Sequence, residues 1–185
     1  MDLANIPRKL DTPDLHLRPL KMADAEAMYS ILSDSQSMKY WSHTPATDVS
    51  AAIKTLTEDL ESDAKGNSLC WAVTLKGKDE LIGKCILFQF NHANRRAEIG
   101  FILNRDYWRQ GLMHQALEAV IAFAFGTLKL HRIEADTDTE NAGSLALLEK
   151  LGFEREGLFR ERWFVYDRWD DSIMLGLLNK GPENI

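Results

Sequence analysis

Residues 97–113 read Ala-Glu-Ile-Gly-Phe-Ile-Leu-Asn-Arg-Asp-Tyr-Trp-Arg-Gln-Gly-Leu-Met. Ala97 to Leu103 is rich in apolar residues and reads as a strand. Asn104 to Gln110 is polar and charged and reads as a loop. A helix follows from about Gly111 to Leu128, with Leu112, Ala116, Ala119, Val120, Phe123 and Ala124 recurring on its apolar side. Ile133, Ala135 and Thr137 then mark another strand. Strand, helix and strand in succession predict a right-handed crossover and a locally parallel pair.

Around this unit the rest of the chain falls into place. Upstream, Leu69, Trp71, Val73 and Leu75 recur at period two, Lys76-Gly77-Lys78-Asp79 turns the chain, and Leu81 to Phe90 forms a second long strand. With Ala97 to Leu103 these make an antiparallel meander. Leu15 to Pro19 is a short strand ended by proline. Helical spacing follows at Met22, Ala25, Met28, Tyr29 and Leu32, then at Val49, Ala52, Ile53, Leu56 and Leu60, whose helix turns Glu58, Asp59, Glu61 and Asp63 to solvent. Downstream, Asn141 to Leu151 reads as a helix with Asn141 as its N-cap and Gly152 at its left-handed end. Two closing strands, roughly Leu158 to Val165 and Asp171 to Leu178, are joined across Tyr166-Asp167-Arg168-Trp169. The expected fold class is α+β: a mixed, largely antiparallel sheet of about seven strands with a central parallel pair, and about four helices on both faces. Residues 1–185 are read as a single domain, with 1–14 a loose leader.

Composition narrows the function classes. With 22 Lys+Arg against 28 Asp+Glu, the net charge is −6, which argues against nucleic-acid binding through phosphate contacts. The two cysteines, Cys70 and Cys85, sit in strand-like segments and read as buried thiols, and the five histidines lack ligand spacing, so no metal is expected. Met1 to Pro7 has no apolar signal-peptide region, and Ala119 to Leu128 is far short of the ~20 residues of a membrane span. A cytoplasmic chain that does not enter membranes is the expectation.

Two segments carry chemistry by residue type. The loop before the long helix puts Gly111 at a helix N-terminus, where free N–H groups and partial positive charge suit phosphate. It lacks the lysine of a Walker loop and the three glycines of a dinucleotide fingerprint. Further on, Ser144 lies in the first turn after Asn141 and either faces a cleft or supports the cap.

Together, Ala97-Glu98-Ile99-Gly100-Phe101, Tyr107-Trp108-Arg109-Gln110-Gly111-Leu112-Met113, Asn141-x-x-Ser144 and Glu149-Lys150-Leu151-Gly152-Phe153 resemble the GNAT N-acetyltransferase superfamily. Within it the chain resembles the RimJ/RimL branch, whose members acetylate ribosomal-protein N-termini. The resemblance covers nearly the whole chain from Leu15. It implies acetyl-CoA as cosubstrate and direct acetyl transfer to a primary amine, foremost a protein N-terminal α-amine. A small-molecule amine acceptor (polyamine, amino acid or antibiotic) and a non-catalytic acyl-CoA sensor are the alternatives, and a homodimer is compatible with the family.

The resemblance also implies site residues. Pantetheine is expected against the free backbone of Phe101, Ile102 and Leu103. Pyrophosphate is expected at the backbone of Arg109, Gln110, Gly111, Leu112, Met113 and His114, with the Arg109 side chain either on phosphate or solvated. The loop departs from the superfamily's Arg/Gln-x-x-Gly-x-Gly/Ala pattern at Trp108, Arg109 and Met113. Asn141 is expected to touch pantetheine or acceptor, and Ser144 to protonate the departing sulfur. Glu98 is the first candidate for the base, against an ion pair with Arg95 or Arg96. Glu161 is the second, with Trp163 as the other residue that could stand there. Glu134, Asp136 and Asp138, at period two, form an acidic stripe facing either a cationic amine or solvent. Acceptor recognition is expected among Tyr40, Trp41, Trp163, Phe164, Tyr166 and Trp169.

Overall fold

The computed structural model describes residue 3 and residues 6–181. Its strands are β1 (Leu10–Asp11), β2 (Leu15–Pro19), β3 (Leu69–Leu75), β4 (Leu81–Asn91), β5 (Arg96–Leu103), β6 (Arg132–Asp138), β7 (Glu154–Val165) and β8 (Arg168–Leu178). They form one sheet in the order β1-β2-β3-β4-β5-β6-β8-β7. Every pairing is antiparallel except β5 with β6, which is parallel. The meander and the parallel crossover follow the expectation. The eighth strand is β1, which lies inside the leader expected to be loose. Leu3 and Arg8 are buried there too, Arg8 pairs with Asp63, and the Trp71 indole N–H donates to the Arg8 carbonyl at 2.8 Å.

The helices are α1 (Ala25–Leu32), α2 (Val49–Ala64), α3 (Leu112–Gly126) and α4 (Ala142–Lys150). They cover opposite faces. On one, α1 and α2 bury Met28, Ile31, Ala52 and Leu56 against Cys70, Ala72 and Ile102. On the other, α3 and α4 bury Ala116, Leu117, Val120, Phe123 and Leu148 against Trp71, Leu87, Ile99 and Ile133. Trp71 meets Phe123 edge-on at 5.6 Å. The caps follow from residue type. The Asp48 carboxylate accepts from Ala51 N–H at 3.1 Å. The α4 exit is closed by Gly152 at φ 90° and by Phe153 N–H donating to the Leu148 carbonyl at 3.0 Å.

The closing hairpin is longer than expected. β7 starts at Glu154, and β8 already at Arg168, because Tyr166 and Asp167 make a two-residue turn with φ 53° and 56°, as tight hairpins require. Asp59 and Asp63, expected to be solvated, turn toward the sheet instead: Asp63 is buried, and Asp59 pairs at 2.6 Å with buried Lys84. Among the described residues no helix is long and apolar enough to cross a membrane, and no cluster of three or more His, Cys, Asp or Glu could hold a metal.

Candidate active site

The site begins where β5 and β6 part. They pair only at Arg96–Arg132, Ala97–Ile133 and Glu98–Glu134. Beyond that, β5 stays with β4 as far as Leu103 and β6 stays with β8 as far as Asp138. A bulge in β4, with Gln89 at φ 51°, adds local twist at this level. The edge of β5 from Ile99 to Leu103 is therefore open. Not all three residues assigned to pantetheine offer backbone to it. A Cβ on Gly83 of β4 would lie 2.6 Å from the Ile102 carbonyl, so that carbonyl faces β4. Strand alternation then turns the backbone of Phe101 and Leu103 into the opening.

Trp108 caps this edge. Its indole N–H donates to the Leu103 carbonyl at 2.8 Å, which pins the loop to the end of β5. The loop then turns through Arg109 at φ 60° and Gly111 at φ 76°, and Gln110 fixes it by donating to the Asp106 carbonyl at 3.0 Å. Gln115 N–H is the first to reach back along α3, to the Gly111 carbonyl at 3.2 Å. The N–H groups of Leu112, Met113 and His114 therefore lack intrahelical acceptors. No acidic residue lies in that turn, and nothing stands within 4 Å of where a Gly111 Cβ would be. Open donors, a positive dipole end and free space suit a pyrophosphate.

A cavity of about 400 Å³ occupies the splay, running from the Lys39–His43 segment across β4 and β5 to the β7–β8 hairpin. Glu98, Phe101, Asn141 and Ser144 line it together. Ile102, Leu103 and the loop residues 109–114 do not. Asn141 is the N-cap of α4, its Oδ1 accepting from Ser144 N–H at 3.1 Å. Tyr40, Trp41, Trp163 and Tyr166 line the cavity, whereas Phe164 and Trp169 meet at a tilt, 5.0 Å between ring centroids, as exposed side chains.

Glu98 stands at the last paired position before the strands part. Neither arginine suggested as its ion-pair partner takes it: Arg96 pairs with Glu134 instead, and among the described residues no cation lies within salt-bridge distance of Glu98. Burial, and then the negative charges of Asp136 and Glu134, push its carboxyl up to about 7, against a partial pull downward from Arg162 and Arg96. Glu161, the rival base, is exposed on a β7 bulge at φ 51°, where its N–H donates to Asp171 at 2.8 Å. It does not line the cavity, and Trp163 does.

The acidic stripe divides. Glu134 is bound by Arg96 and Arg132 and lies outside the cavity lining, so it is neither free for an amine nor solvated. Asp136 and Asp138 line the cavity, with Asp170 from β8. Sequence reasoning missed three features here. The Trp108 latch was noted only as a departure from the family pattern. Arg162 reaches Asp136 at 3.3 Å across strands whose register a bulge shifts. The buried Lys84–Asp59 pair joins residues 25 apart.

The model of the acetyltransferase (GNAT) domain family matches residues 14–154. An uncharacterized N-acetyltransferase, p20, of Bacillus licheniformis is 35% identical over 171 residues, covering 92% of this chain and 96% of that one. The spermidine N(1)-acetyltransferase of Escherichia coli (strain K12) is 24% identical over 159 residues, covering 86% and 83%. Mycobacterium smegmatis RimJ, solved in complex with CoA-disulfide, superposes with a TM-score of 0.81 at 26% identity, covering 94% and 87%.

Proposed function

The chain belongs to the GNAT acetyltransferase family, in a RimJ-like branch, and on that premise we propose that it acetylates the α-amine at the N-terminus of a protein or peptide, with Glu98 as the base. It is an N-acetyltransferase, and acetyl-CoA is its cosubstrate. The observation that carries the α-amine reading is Glu98: unpaired, at the mouth of the splay, its carboxyl pushed up to about 7. An α-ammonium, ordinarily at about 8, gives its proton to such a base at a cost of about 1 kcal/mol. An alkylammonium near 10.4 costs about 3 kcal/mol more.

Bound acetyl-CoA supplies an activated acetyl group; the chain's residues prepare the attack. The free N–H groups from Arg109 to His114 hold pyrophosphate, and the open backbone of Phe101, with the Leu103 N–H, holds pantetheine. Glu98 takes one proton from the acceptor ammonium. The C–N bond forms as the C–S bond breaks, and the nitrogen loses a second proton. The Ser144 hydroxyl gives the sulfur its proton and takes the nitrogen's second proton in exchange, and Asn141 holds the α4 N-terminus that carries it. Holding the two reactants together supplies roughly 7–11 kcal/mol, and acid–base help about 10²–10⁴-fold.

A polyamine acceptor is the second reading. It is favoured by Asp136, Asp138 and Asp170 on the cavity wall and by the likeness to a spermidine acetyltransferase. Thiol release from acetyl-CoA, measured with a short free N-terminal peptide and with spermidine between pH 6 and 9, tests both. Turnover with the peptide and none with spermidine is expected. The reverse overturns the α-amine reading, and acetyl-CoA binding with no turnover over either favours a sensor.

A further inference from the structure

Asp136 lies midway along β6, and its side chain is only 5% exposed. It lines the cavity beside Glu98. Its Oδ2 accepts from Arg162 Nε at 3.3 Å. Its Oδ1 is buried and has no hydrogen-bond partner among the described residues. A buried carboxylate oxygen without a donor is rare and costly, and it marks a place where a donor is missing.

Nothing nearby fills that place. Arg96 on neighbouring β5 is turned to Glu134, and Arg132 at the start of β6 itself is shared between Glu134 and Glu156. Lys84 on β4 is taken by Asp59 of α2, and Arg168 on β8 by Asp170. Arg162 itself is half exposed on the β7 bulge, spread over the rings of Phe159 and Trp163. Its contact is longer than the ~2.7–2.9 Å of a firm charged hydrogen bond. Besides Asp59, which holds Lys84, the other cavity-lining acids are Glu98, Asp138 and Asp170, and their negative charge favours a cationic donor over a neutral one at Oδ1.

We propose that Asp136 Oδ1 is the seat of the acceptor's ammonium group, which donates one N–H to it while Glu98 stands ready to take another. The proposal rests on the acetyltransferase reading of this cavity and names the residue that selects the protonated form of its amine acceptor. Asp136 orients and selects; Glu98 deprotonates. Arg162 is a positioning residue that holds the second oxygen.

Calorimetry on the CoA-loaded protein tests it, with alanyl-alanine amide and its desamino analogue as probes. The wild type is expected to prefer the amine by about 10–100-fold, the worth of one charged hydrogen bond at a buried site. Asp136→Asn is expected to lose that preference while its CoA affinity stays within twofold. Should that variant not fold, Asp136→Ser serves the same comparison. Equal affinity of the wild type for both probes, absence of binding included, overturns the proposal, as does a preference that survives in the variant. In turnover the acceptor KM should rise about 10–100-fold with the acetyl-CoA KM unchanged. Transfer to the peptide with an unaltered acceptor KM in Asp136→Asn removes the seat and leaves the acetyltransferase reading standing. An amine preference lost in the variant, with no transfer to peptide or spermidine by the wild type, keeps the seat and removes that reading.

Discussion

Replacing Glu98 by Gln should slow the enzyme and stabilise the protein, both for one physical reason. The Glu98 carboxyl is pushed from an ordinary 4.5 up to about 7 by burial and by Asp136 and Glu134. A carboxyl raised on folding binds its proton more tightly in the native state. The resulting penalty is absent below pH 4.5, builds as pH rises toward 7, and is constant above 7. Fully expressed, that rise corresponds to about 3 kcal/mol. Glu98 keeps partial contact with solvent, so screening leaves roughly 1–2 kcal/mol. Glu98→Gln keeps the shape and removes the charge. At pH 8 it should therefore melt about 2–6 °C above the wild type, and at pH 4 the two should coincide.

Catalysis should move the other way. The wild-type kcat/KM for the acceptor should climb through pH 7 as Glu98 ionises and turn down above about pH 8 as the free α-ammonium loses its proton. In Glu98→Gln it should fall by about 10²–10³-fold at pH 8 and lose the rise through pH 7. Scanning calorimetry and thiol release on the same preparations check both halves. A variant that keeps full rate from pH 6 to 9 removes Glu98 from the chemistry. A stability difference equal at pH 4 and pH 8 refutes the electrostatic origin of the shift.

Gly111→Val strains a φ of 76° without meeting any atom within 4 Å. It should re-aim the loop and weaken CoA binding by about tenfold, and unchanged affinity by calorimetry rejects the pyrophosphate assignment. Lys84→Ala strands Asp59, whose side chain is 14% exposed, and should cost about 3–5 kcal/mol in urea unfolding; the apolar pair Lys84→Met with Asp59→Leu should recover most of it. Burial pushes Cys70 and Cys85 each up to about 12. The native protein should thus release no colour with a disulfide thiol reagent at pH 8, and the denatured chain two equivalents.

What could be read from the sequence divides by the range of the interaction. Period-two and helical spacing located the meander, the crossover and all four helices, because each depends on residues a few places apart. Asn141 and Gly152 announced α4 through chemistry that is local to a cap. The strand β1 was missed because two residues carry no period, and Arg8 and Asp63 are 55 positions apart. The acidic stripe was visible as Glu134, Asp136 and Asp138, but its division was not. Arg96, Arg132 and Arg162 come from three strands, and the last lies beyond a register shift between Phe159 and Trp163. Glu98 stood out by type and position, whereas its lack of a partner depends on Arg96 choosing Glu134. Trp108 illustrates the same limit: its hydrogen bond to the Leu103 carbonyl needs the turn at Arg105–Tyr107 to bring the ring back.

The charge distribution joins these pieces. Residues 101–185 hold 10 basic against 14 acidic residues, yet this part carries the loop proposed for pyrophosphate. A helix N-terminus supplies positive potential that fades within a turn, so α3 can face a polyanion without neutralising the acids across the splay. The two ends of the cleft thus favour opposite charges: backbone N–H groups at the phosphate end, and Glu98, Asp136, Asp138 and Asp170 at the acceptor end. Salt should separate them. Raising ionic strength from about 0.01 to 0.3 M shortens the screening length from about 30 Å to well under 10 Å. Steering of a cationic peptide by the acidic wall should weaken, and its kcat/KM should fall severalfold. The −6 chain repels acetyl-CoA at long range, so kcat/KM for acetyl-CoA should hold steady or rise over the same range. Parallel losses for both substrates would mean that the acids do not draw the acceptor in, and that the segregation of charge along the cleft has no part in acceptor capture.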